Sequence, residues 1–361
     1  MGRSRTRFSG RVPAVERECN RQSYSVVPET QKSVVRARRS AFVSQNNDDQ
    51  SAIGLRRLAA VAGVVLVLVA SIVAYVRVQT SGDSADRAAP SNFPALTSRE
   101  MFGDDGAARE PDGDFTDSLS IEGEYPETAE EVILFVHGFN TTDSEARDQG
   151  YTAQIGVESA AQTTESETTL PLPVVVFSWD SDRSWSVAKE VADSNGALLA
   201  EWLADRPNQQ QIHLVGHSLG TRVICESLSQ IASNAESPNQ GAENNGSQES
   251  VIASVTLLGG AIPADSATRE GQYGSAIETM APTFANFYSR NDRVLSWLYR
   301  VSDRTRAVGS RGIKHSGQIP DSPDGEYLDI DVTESVADHH SYFKSGDGCL
   351  PIVAEAVFSA E

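Results

Sequence analysis

The segment Ile212-His213-Leu214-Val215-Gly216-His217-Ser218-Leu219-Gly220 decides the fold of this chain. A short apolar run ends in the pattern Gly-x-Ser-x-Gly, in which Gly216 and Gly220 lie two residues either side of Ser218. Glycines at this spacing indicate a sharp turn from a strand into a helix, because a Cβ would clash where the two elements nearly touch. The residues that follow, 221–228, carry apolar side chains at helical spacing. The segment therefore predicts a strand, a tight turn with the Ser218 hydroxyl at its apex, and a helix.

Similar strand-like and helix-like segments alternate through residues 125–361. Apolar runs predict strands at 131–136, 173–179, 212–215, 251–258, 283–288 and 327–332, and helical patterns lie at 142–161, 184–204, 221–228, 294–299 and 350–358. Strands that alternate with helices predict an α/β fold with a mostly parallel sheet and helices on both faces. Ligands of such sheets bind beyond the carboxyl ends of the strands.

The candidate catalytic residues follow strands, as that rule requires. A serine hydroxyl is a poor nucleophile at neutral pH and needs a neighbouring base, which in turn needs an orienting carboxylate. Asp292 follows the strand at 283–288, and the loop after the last strand holds His339 and His340. Weaker alternatives are His315 as the base and Asp180 as the acid, and Asp180 is better explained as a cap.

Four short motifs carry a family resemblance: His137-Gly138-Phe139, the Gly-His-Ser-Leu-Gly turn, Ser289-Arg290-Asn291-Asp292 and His340-Ser341-Tyr342-Phe343. With them the chain resembles the lipase- and esterase-like enzymes of the α/β-hydrolase superfamily over about residues 125–361, and most closely a poorly characterised hydrolase family. The resemblance implies an α/β-hydrolase fold with Ser218 as nucleophile, Asp292 as acid and His340 as base. His340 is preferred to His339 because Ser-Tyr-Phe follows it.

The resemblance also implies an oxyanion hole formed by the backbone N–H groups of Leu219 and Phe139. No metal or organic cofactor is expected. The expected reaction is hydrolysis of a small-molecule ester, carboxylesterase-like, through an acyl-enzyme. Acyl transfer or thioester cleavage on the same triad, and a non-catalytic hydrolase-fold binding module, remain alternatives. The sequence leaves the substrate and the oligomeric state open.

Three further histidines are expected to be structural. His213 lies within a strand, His217 occupies the variable position of the turn, and His137 is expected to shape the oxyanion loop through hydrogen bonds. None of these three is therefore predicted to transfer protons.

The charge of the chain is strongly negative and unevenly distributed. The net charge is −20, with 12 Lys+Arg against 5 Asp+Glu up to Arg57 and 17 against 45 from Val78 onward. Only four of the basic residues are lysines. An acidic, lysine-poor surface is typical of adaptation to high salt and argues against nucleic-acid binding. The three cysteines have no spacing that predicts a disulfide framework or a metal site.

The first third of the chain predicts a membrane anchor. Residues 1–57 form a basic arm that is expected to be disordered, and residues 58–76 contain no charged side chain. Nineteen helical residues rise about 28 Å, enough to span a bilayer core of about 30 Å. Residues 77–124 are predicted to be an acidic flexible linker. The basic excess before the apolar run predicts a single-pass cell-membrane protein with a cytoplasmic N-terminus and an extracytoplasmic hydrolase domain.

Overall fold

The computed structural model describes residues 87–109, 118–163, 171–206, 210–236, 251–314, 327–346 and 348–358. The predicted basic arm, the predicted membrane span 58–76 and His315 lie outside these residues. The strands are β1 (Ala95–Thr97), β2 (Ser120–Glu122), β3 (Glu131–Val136), β4 (Val174–Ser178), β5 (Gln211–His217), β6 (Ile252–Leu258), β7 (Thr283–Tyr288) and β8 (Tyr327–Asp331).

At least one helix follows each of the strands β3 to β8 along the chain, as the alternation predicts. They are α1 (Asp143–Thr163), α2 (Trp185–Ala204), α3 (Gly220–Glu236), α4 (Gly274–Met280), α5 (Arg293–Ser302), α6 (Val308–Arg311) and α7 (Leu350–Val353). A π-helical turn, Ala354–Phe358, continues α7.

The described strands form one sheet in the order β2-β1-β4-β3-β5-β6-β7-β8. Every neighbouring pair is parallel except β1 with β2, which is antiparallel. The prediction of an α/β fold with a mostly parallel sheet is therefore confirmed. Strand β5, which leads into the Ser218 turn, lies in the middle of the sheet between β3 and β6.

Both faces of the sheet are covered by helices, which explains why strands such as β3 and β4 are apolar without alternation. In β3, Leu134 packs on one face among residues of α2 and α3. Its neighbours Ile133 and Phe135 pack on the other face among residues of α1 and α7. Successive residues of a strand point to opposite faces. A strand in this position is therefore apolar along its buried length.

The fold includes part of the region predicted to be a linker. Strand β1 pairs with β4 in parallel, and Leu96 at its centre is completely buried. The prediction that residues 77–124 form a flexible linker and that the domain begins at 125 is therefore wrong for β1 and β2. The reason is that a three-residue strand shows no periodicity of its own, and its place is set by pairing with the edge of the sheet.

No helix within the described residues is long and apolar enough to cross a membrane.

We expect Leu96→Ala to destabilise the protein by about 2–5 kcal/mol, because it removes a buried side chain and leaves a cavity. Chemical denaturation of the full chain measures this change. Ile121→Ala is the matched control in the same predicted linker, because Ile121 is 39% exposed and its loss should cost no more than about 0.5 kcal/mol. Equal stability of Leu96→Ala and the wild type would show that β1 is not part of the cooperative domain.

Candidate active site

Ser218 occupies the apex of the turn between β5 and α3. Its φ is +53°, a left-handed conformation that a non-glycine residue rarely adopts. The surrounding backbone holds it there, since its N–H donates to the Leu258 carbonyl at 3.1 Å and its own carbonyl accepts from the Ala261 N–H at 2.9 Å. The Thr221 hydroxyl also donates to the Ser218 carbonyl at 2.6 Å. The predicted strand–turn–helix element is thus confirmed.

The glycines around Ser218 are required by close backbone approach. A Cβ on Gly216 would lie 2.9 Å from Thr221 Cα, and one on Gly220 would collide with the Val136 carbonyl oxygen. A third glycine, Gly138, brings the loop after β3 so close that a Cβ would lie 2.7 Å from Ser218 Cβ. The backbone around Gly138 therefore forms one wall of the space in front of the serine.

Ser218, His339 and Asp292 form one buried hydrogen-bonded chain. His339 Nε2 lies 2.8 Å from Ser218 Oγ, and His339 Nδ1 lies 2.7 Å from Asp292 Oδ2. The other carboxylate oxygen of Asp292 accepts the Leu295 N–H at 2.9 Å and so caps α5. Asp292 is fully buried. With Nδ1 protonated toward the carboxylate, His339 Nε2 is free to accept the proton of the Ser218 hydroxyl.

The histidine that reaches Ser218 is therefore His339 and not His340, so the preference for His340 is corrected. The loop turns tightly at Asp338, whose Oδ1 accepts the His340 N–H at 2.9 Å and the Ser341 hydroxyl at 2.8 Å. The His339 and His340 rings lie edge to face with their centres 5.3 Å apart, and His339 is the one that bonds Ser218. His340 lines the same pocket, and its Nε2 has no hydrogen-bond partner among the described residues. Burial, together with His339, lowers the pKa of His340 to about 3.

Two buried aromatic side chains fix the register of the histidine loop. His217 Nε2 lies 2.8 Å from the His339 carbonyl oxygen, and the two rings are 4.9 Å apart. The Tyr342 hydroxyl accepts the Ser289 N–H at 2.9 Å and donates to the Gly309 carbonyl at 3.1 Å. These contacts join the loop to β5 and to the loop that carries Asp292. His217 thus has a supporting role, as expected for the variable position of the turn.

The loop after β3 is held by hydrogen bonds centred on His137. The Trp179 N–H donates to His137 Nε2 at 3.1 Å, and His137 Nδ1 lies 2.9 Å from the Gly138 carbonyl oxygen. Burial and the nearby Arg99 guanidinium lower the pKa of His137 to about 3. His137 is therefore a neutral structural histidine, as predicted. The Asn140 N–H donates to the Ser181 carbonyl at 3.0 Å, which holds the far end of the loop.

Arg99 is the functional-site residue that sequence reasoning missed, because it lies in the predicted linker. Its guanidinium donates to the Thr141 carbonyl at 2.9 Å and to the Ser178 hydroxyl at 2.9 Å, and it contacts His137 Nε2 at 3.3 Å. It also forms ion pairs with Asp180 and Asp182. Asp180, considered as a rival acid, thus supports Arg99. One half-buried cation therefore joins the segment after β1 to β4 and to the loop beside Ser218.

A pocket opens in front of Ser218 and His339. One wall is apolar, where Leu298 of α5 packs against Phe139, Trp185 and Val294. The other lining side chains include Glu145, Gln149 and His340. Among the described residues, no group of three or more His, Cys, Asp or Glu is arranged to hold a metal ion.

Comparison with protein families identifies this architecture. Residues 120–343 match the profile of the "Alpha/beta hydrolase of unknown function (DUF900)" family. The chain belongs to this family of α/β hydrolases. The superfamily resemblance expected from the sequence motifs is thereby confirmed, and the match covers more than half of the hydrolase chain.

The relatives found among curated proteins are larger than this hydrolase. The chain is 31% identical over 170 residues to the transmembrane and coiled-coil domain-containing protein STS1 of Oryza sativa subsp. japonica, covering 47% of this chain and 22% of the relative. It is 29% identical over 189 residues to an uncharacterised membrane protein of Schizosaccharomyces pombe, covering 52% of this chain and 21% of the relative. The chain thus spans about a fifth of these relatives.

Solved structures with a similar fold include the type II thioesterase YbtT and an acetyl xylan esterase. YbtT is 12% identical, with a TM-score of 0.33, over 63% of this hydrolase and 94% of its own chain. The acetyl xylan esterase is 14% identical, with a TM-score of 0.32, over 63% and 98% respectively. At such values neither match carries an argument about the reaction.

The buried neutral histidines predict that this hydrolase loses stability as the pH falls below about 6.5. Burial lowers the pKa of His137 to about 3 and that of His217 well below its usual value. An unfolded histidine titrates near 6.5, so below that pH the unfolded chain binds more protons than the folded one. Each such group lowers the unfolding free energy by up to about 1.4 kcal/mol per pH unit.

Denaturant titrations between about pH 7.5 and pH 5 measure this slope, in a window above most carboxylate titration. His217→Gln is the control, because it removes one of the titrating groups and should make the slope shallower. An unfolding free energy that stays constant over this range would contradict the assignment of neutral buried histidines.

Proposed function

We propose that this chain is a serine hydrolase that cleaves a carboxylic ester or a related acyl substrate through an acyl-enzyme. Ser218 is the nucleophile, His339 the general base and acid, and Asp292 the orienting carboxylate. The observation that carries the proposal is the chain of hydrogen bonds of 2.8 Å and 2.7 Å joining these side chains at the apex of the Ser218 turn. Its order along the chain, serine then aspartate then histidine, is that of α/β hydrolases.

In the first step Ser218 Oγ attacks the acyl carbon while His339 Nε2 takes the hydroxyl proton. Asp292 stabilises the imidazolium that forms, without itself becoming protonated. The tetrahedral intermediate then collapses, the bond to the leaving group breaks, and His339 delivers the proton to that group. A water molecule repeats the sequence on the acyl-enzyme, with His339 again as base, and releases the carboxylic acid and free Ser218.

The negative charge of the tetrahedral intermediate requires donors aimed at its oxygen. We assign these to the backbone N–H groups of Leu219 and Phe139. Leu219 follows the nucleophile at the start of α3, where the helix dipole also favours negative charge. Phe139 follows Gly138, whose backbone lies against Ser218, and the bonds of His137 and Arg99 hold that loop before any substrate arrives.

The pocket favours substrates with a modest acyl group. Its apolar wall of Phe139, Trp185, Val294 and Leu298 suits a short hydrocarbon chain, and Glu145 and His340 supply polar contacts. A screen of p-nitrophenyl esters of graded chain length would identify the preferred acyl group. Adding an alcohol acceptor to the same assay distinguishes acyl transfer from hydrolysis, because transfer yields a new ester.

We further propose that the hydrolase is anchored in the cell membrane by residues 58–76, with the domain on the extracytoplasmic side. The support is the uninterrupted apolar run with its basic excess on the N-terminal side. The relatives STS1 and the fission-yeast protein carry "transmembrane" and "membrane" in their names.

We expect Ser218→Ala to abolish labelling by a fluorophosphonate probe and to abolish ester hydrolysis. His339→Ala should lower kcat by roughly 10⁴- to 10⁶-fold, because the triad acts as a unit. His340→Ala is the matched neighbour, and its effect should fall mainly on KM, since His340 lines the pocket without contacting Ser218. Steady-state kinetics on a soluble p-nitrophenyl ester separate the two variants.

A severe loss of kcat in His340→Ala together with a mild one in His339→Ala would reverse the assignment of the base. Failure of the probe to label folded wild-type protein would instead favour a non-catalytic binding module on the same fold. Circular dichroism of each variant shows whether it is folded before the kinetics are compared.

We expect the full chain to float with membranes and to resist extraction by alkaline carbonate, whereas deletion of residues 58–76 should release it. When intact cells that carry the full chain are treated with protease, cleavage between Val76 and Phe93 should free a hydrolase fragment. A domain that is cleaved only after lysis would place it in the cytoplasm and contradict the proposed orientation.

A further inference from the structure

Helix α5 exposes two large apolar side chains next to the active site. Trp297 is 44% exposed and Val301 is 42% exposed. They are two of the three exposed large apolar residues of the described chain, and the third, Ile121, lies on strand β2. Because residues four apart lie on the same side of a helix, Trp297 and Val301 form one exposed patch.

The patch continues into the proposed catalytic pocket. Val294 and Leu298 lie on the adjoining stripe of α5, at the positions three residues before each exposed side chain. Both line the pocket with Ser218. We call the four residues Val294, Trp297, Leu298 and Val301 the mouth face. An apolar path therefore runs along α5 from solvent to the nucleophile.

Four arginines lie in α5 or within the four residues that follow it. Arg293, Arg300, Arg304 and Arg306 are all exposed, and none forms an ion pair with a described residue. Other described arginines do form ion pairs, as Arg290 does with Asp331 and Arg147 does with Glu122. In a chain of net charge −20, this edge of the pocket presents a local positive surface.

We propose that the mouth face docks on a bilayer of anionic lipids, so that the pocket opens toward the membrane surface. Trp297 and Val301 would enter the interface, where tryptophan is enriched. The arginines would bind lipid phosphates, which suit the geometry of guanidinium groups. This docking would direct acyl substrates held in or at the membrane to Ser218, and that consequence rests on the proposed function.

The proposed anchor is compatible with this docking because the segment that joins it to the folded domain, the tether, is short. From Val76 to Ala89, whose N–H donates to Asp148 Oδ1 at 2.7 Å, is 13 residues, at most about 47 Å when fully extended. That is close to the roughly 50 Å width expected of a single domain of this size. The tether therefore keeps the domain at the membrane without selecting which surface touches it. Surface chemistry makes that selection, and the mouth face has the matching charge.

Fluorescence quenching by brominated lipids tests the docking directly. The full chain contains four tryptophans, of which Trp297 is the most exposed. We expect vesicles of brominated phosphatidylglycerol, at about 0.1 M salt, to quench a component of the emission that Trp297→Phe lacks. Vesicles of brominated phosphatidylcholine should quench that component several-fold less, because they carry no net negative charge.

The double variant Arg300→Gln with Arg304→Asn should lower the quenching in anionic vesicles several-fold and leave hydrolysis of a soluble ester unchanged. Asparagine is chosen because Arg304 has φ +54°, which asparagine tolerates. Ile121→Ser is the control for an exposed apolar residue elsewhere and should leave the quenching unchanged.

Equal quenching of the wild type and Trp297→Phe in anionic vesicles would overturn the proposal. So would self-association in sedimentation that Val301→Ser abolishes without any Trp297 quenching, because the mouth face would then bind a second copy of the chain. Flotation and soluble-ester hydrolysis are measured on the same samples. A chain that floats and hydrolyses ester but shows no Trp297-dependent quenching would contradict the docking alone, leaving the anchor and the triad intact.

Discussion

The left-handed backbone of Ser218 is the constraint on which the rest of the structure depends. A non-glycine residue in this conformation costs of order 1–3 kcal/mol and persists only when its surroundings determine it fully. Here the surroundings are the neighbouring strands, since the Ser218 N–H bonds the end of β6 and its carbonyl bonds the backbone beyond β6. Gly220 lets α3 start directly against β3. The centre of the sheet and the presentation of the nucleophile are therefore one arrangement.

The second requirement is that two distant loops meet at this turn. Asp292 is fixed because one of its oxygens caps α5 while the other faces His339. The histidine loop is fixed because Tyr342 joins it to the Asp292 loop, and His217 contacts the His339 carbonyl. The alignment of the acid, the base and the nucleophile thus depends on buried contacts that substrate need not supply. Such preorganisation is what makes electrostatic stabilisation in active sites effective.

The parts of this arrangement that local sequence determines were predicted from it. The Ser218 turn carries its own glycines, and doubly buried strands are recognisable because they lack alternation. The choice between His339 and His340 could not be made from the sequence, because the two residues are identical and adjacent. Only the conformation of the turn at Asp338 decides which imidazole reaches Ser218. Arg99 was missed for a different reason. It follows a strand of only three residues, and its partners, among them Thr141 and Ser178, lie far along the chain.

The net charge of this hydrolase can be read directly from its sequence, but only the structure shows how that charge is distributed over the surface. Taken over the chain, the acidic excess predicts repulsion from anionic surfaces and favours a high-salt environment, which stays a prediction. Taken residue by residue, four exposed arginines without an ion pair among the described residues lie in and just after α5, the helix that carries Trp297, while Arg99 and Arg147 are neutralised by nearby acids. An acidic domain held near an anionic bilayer would be repelled by most of its surface. The acidic surface would be repelled by the anionic lipid, and the arginines at α5 would be attracted to it. Together these two forces would orient the pocket toward the lipid.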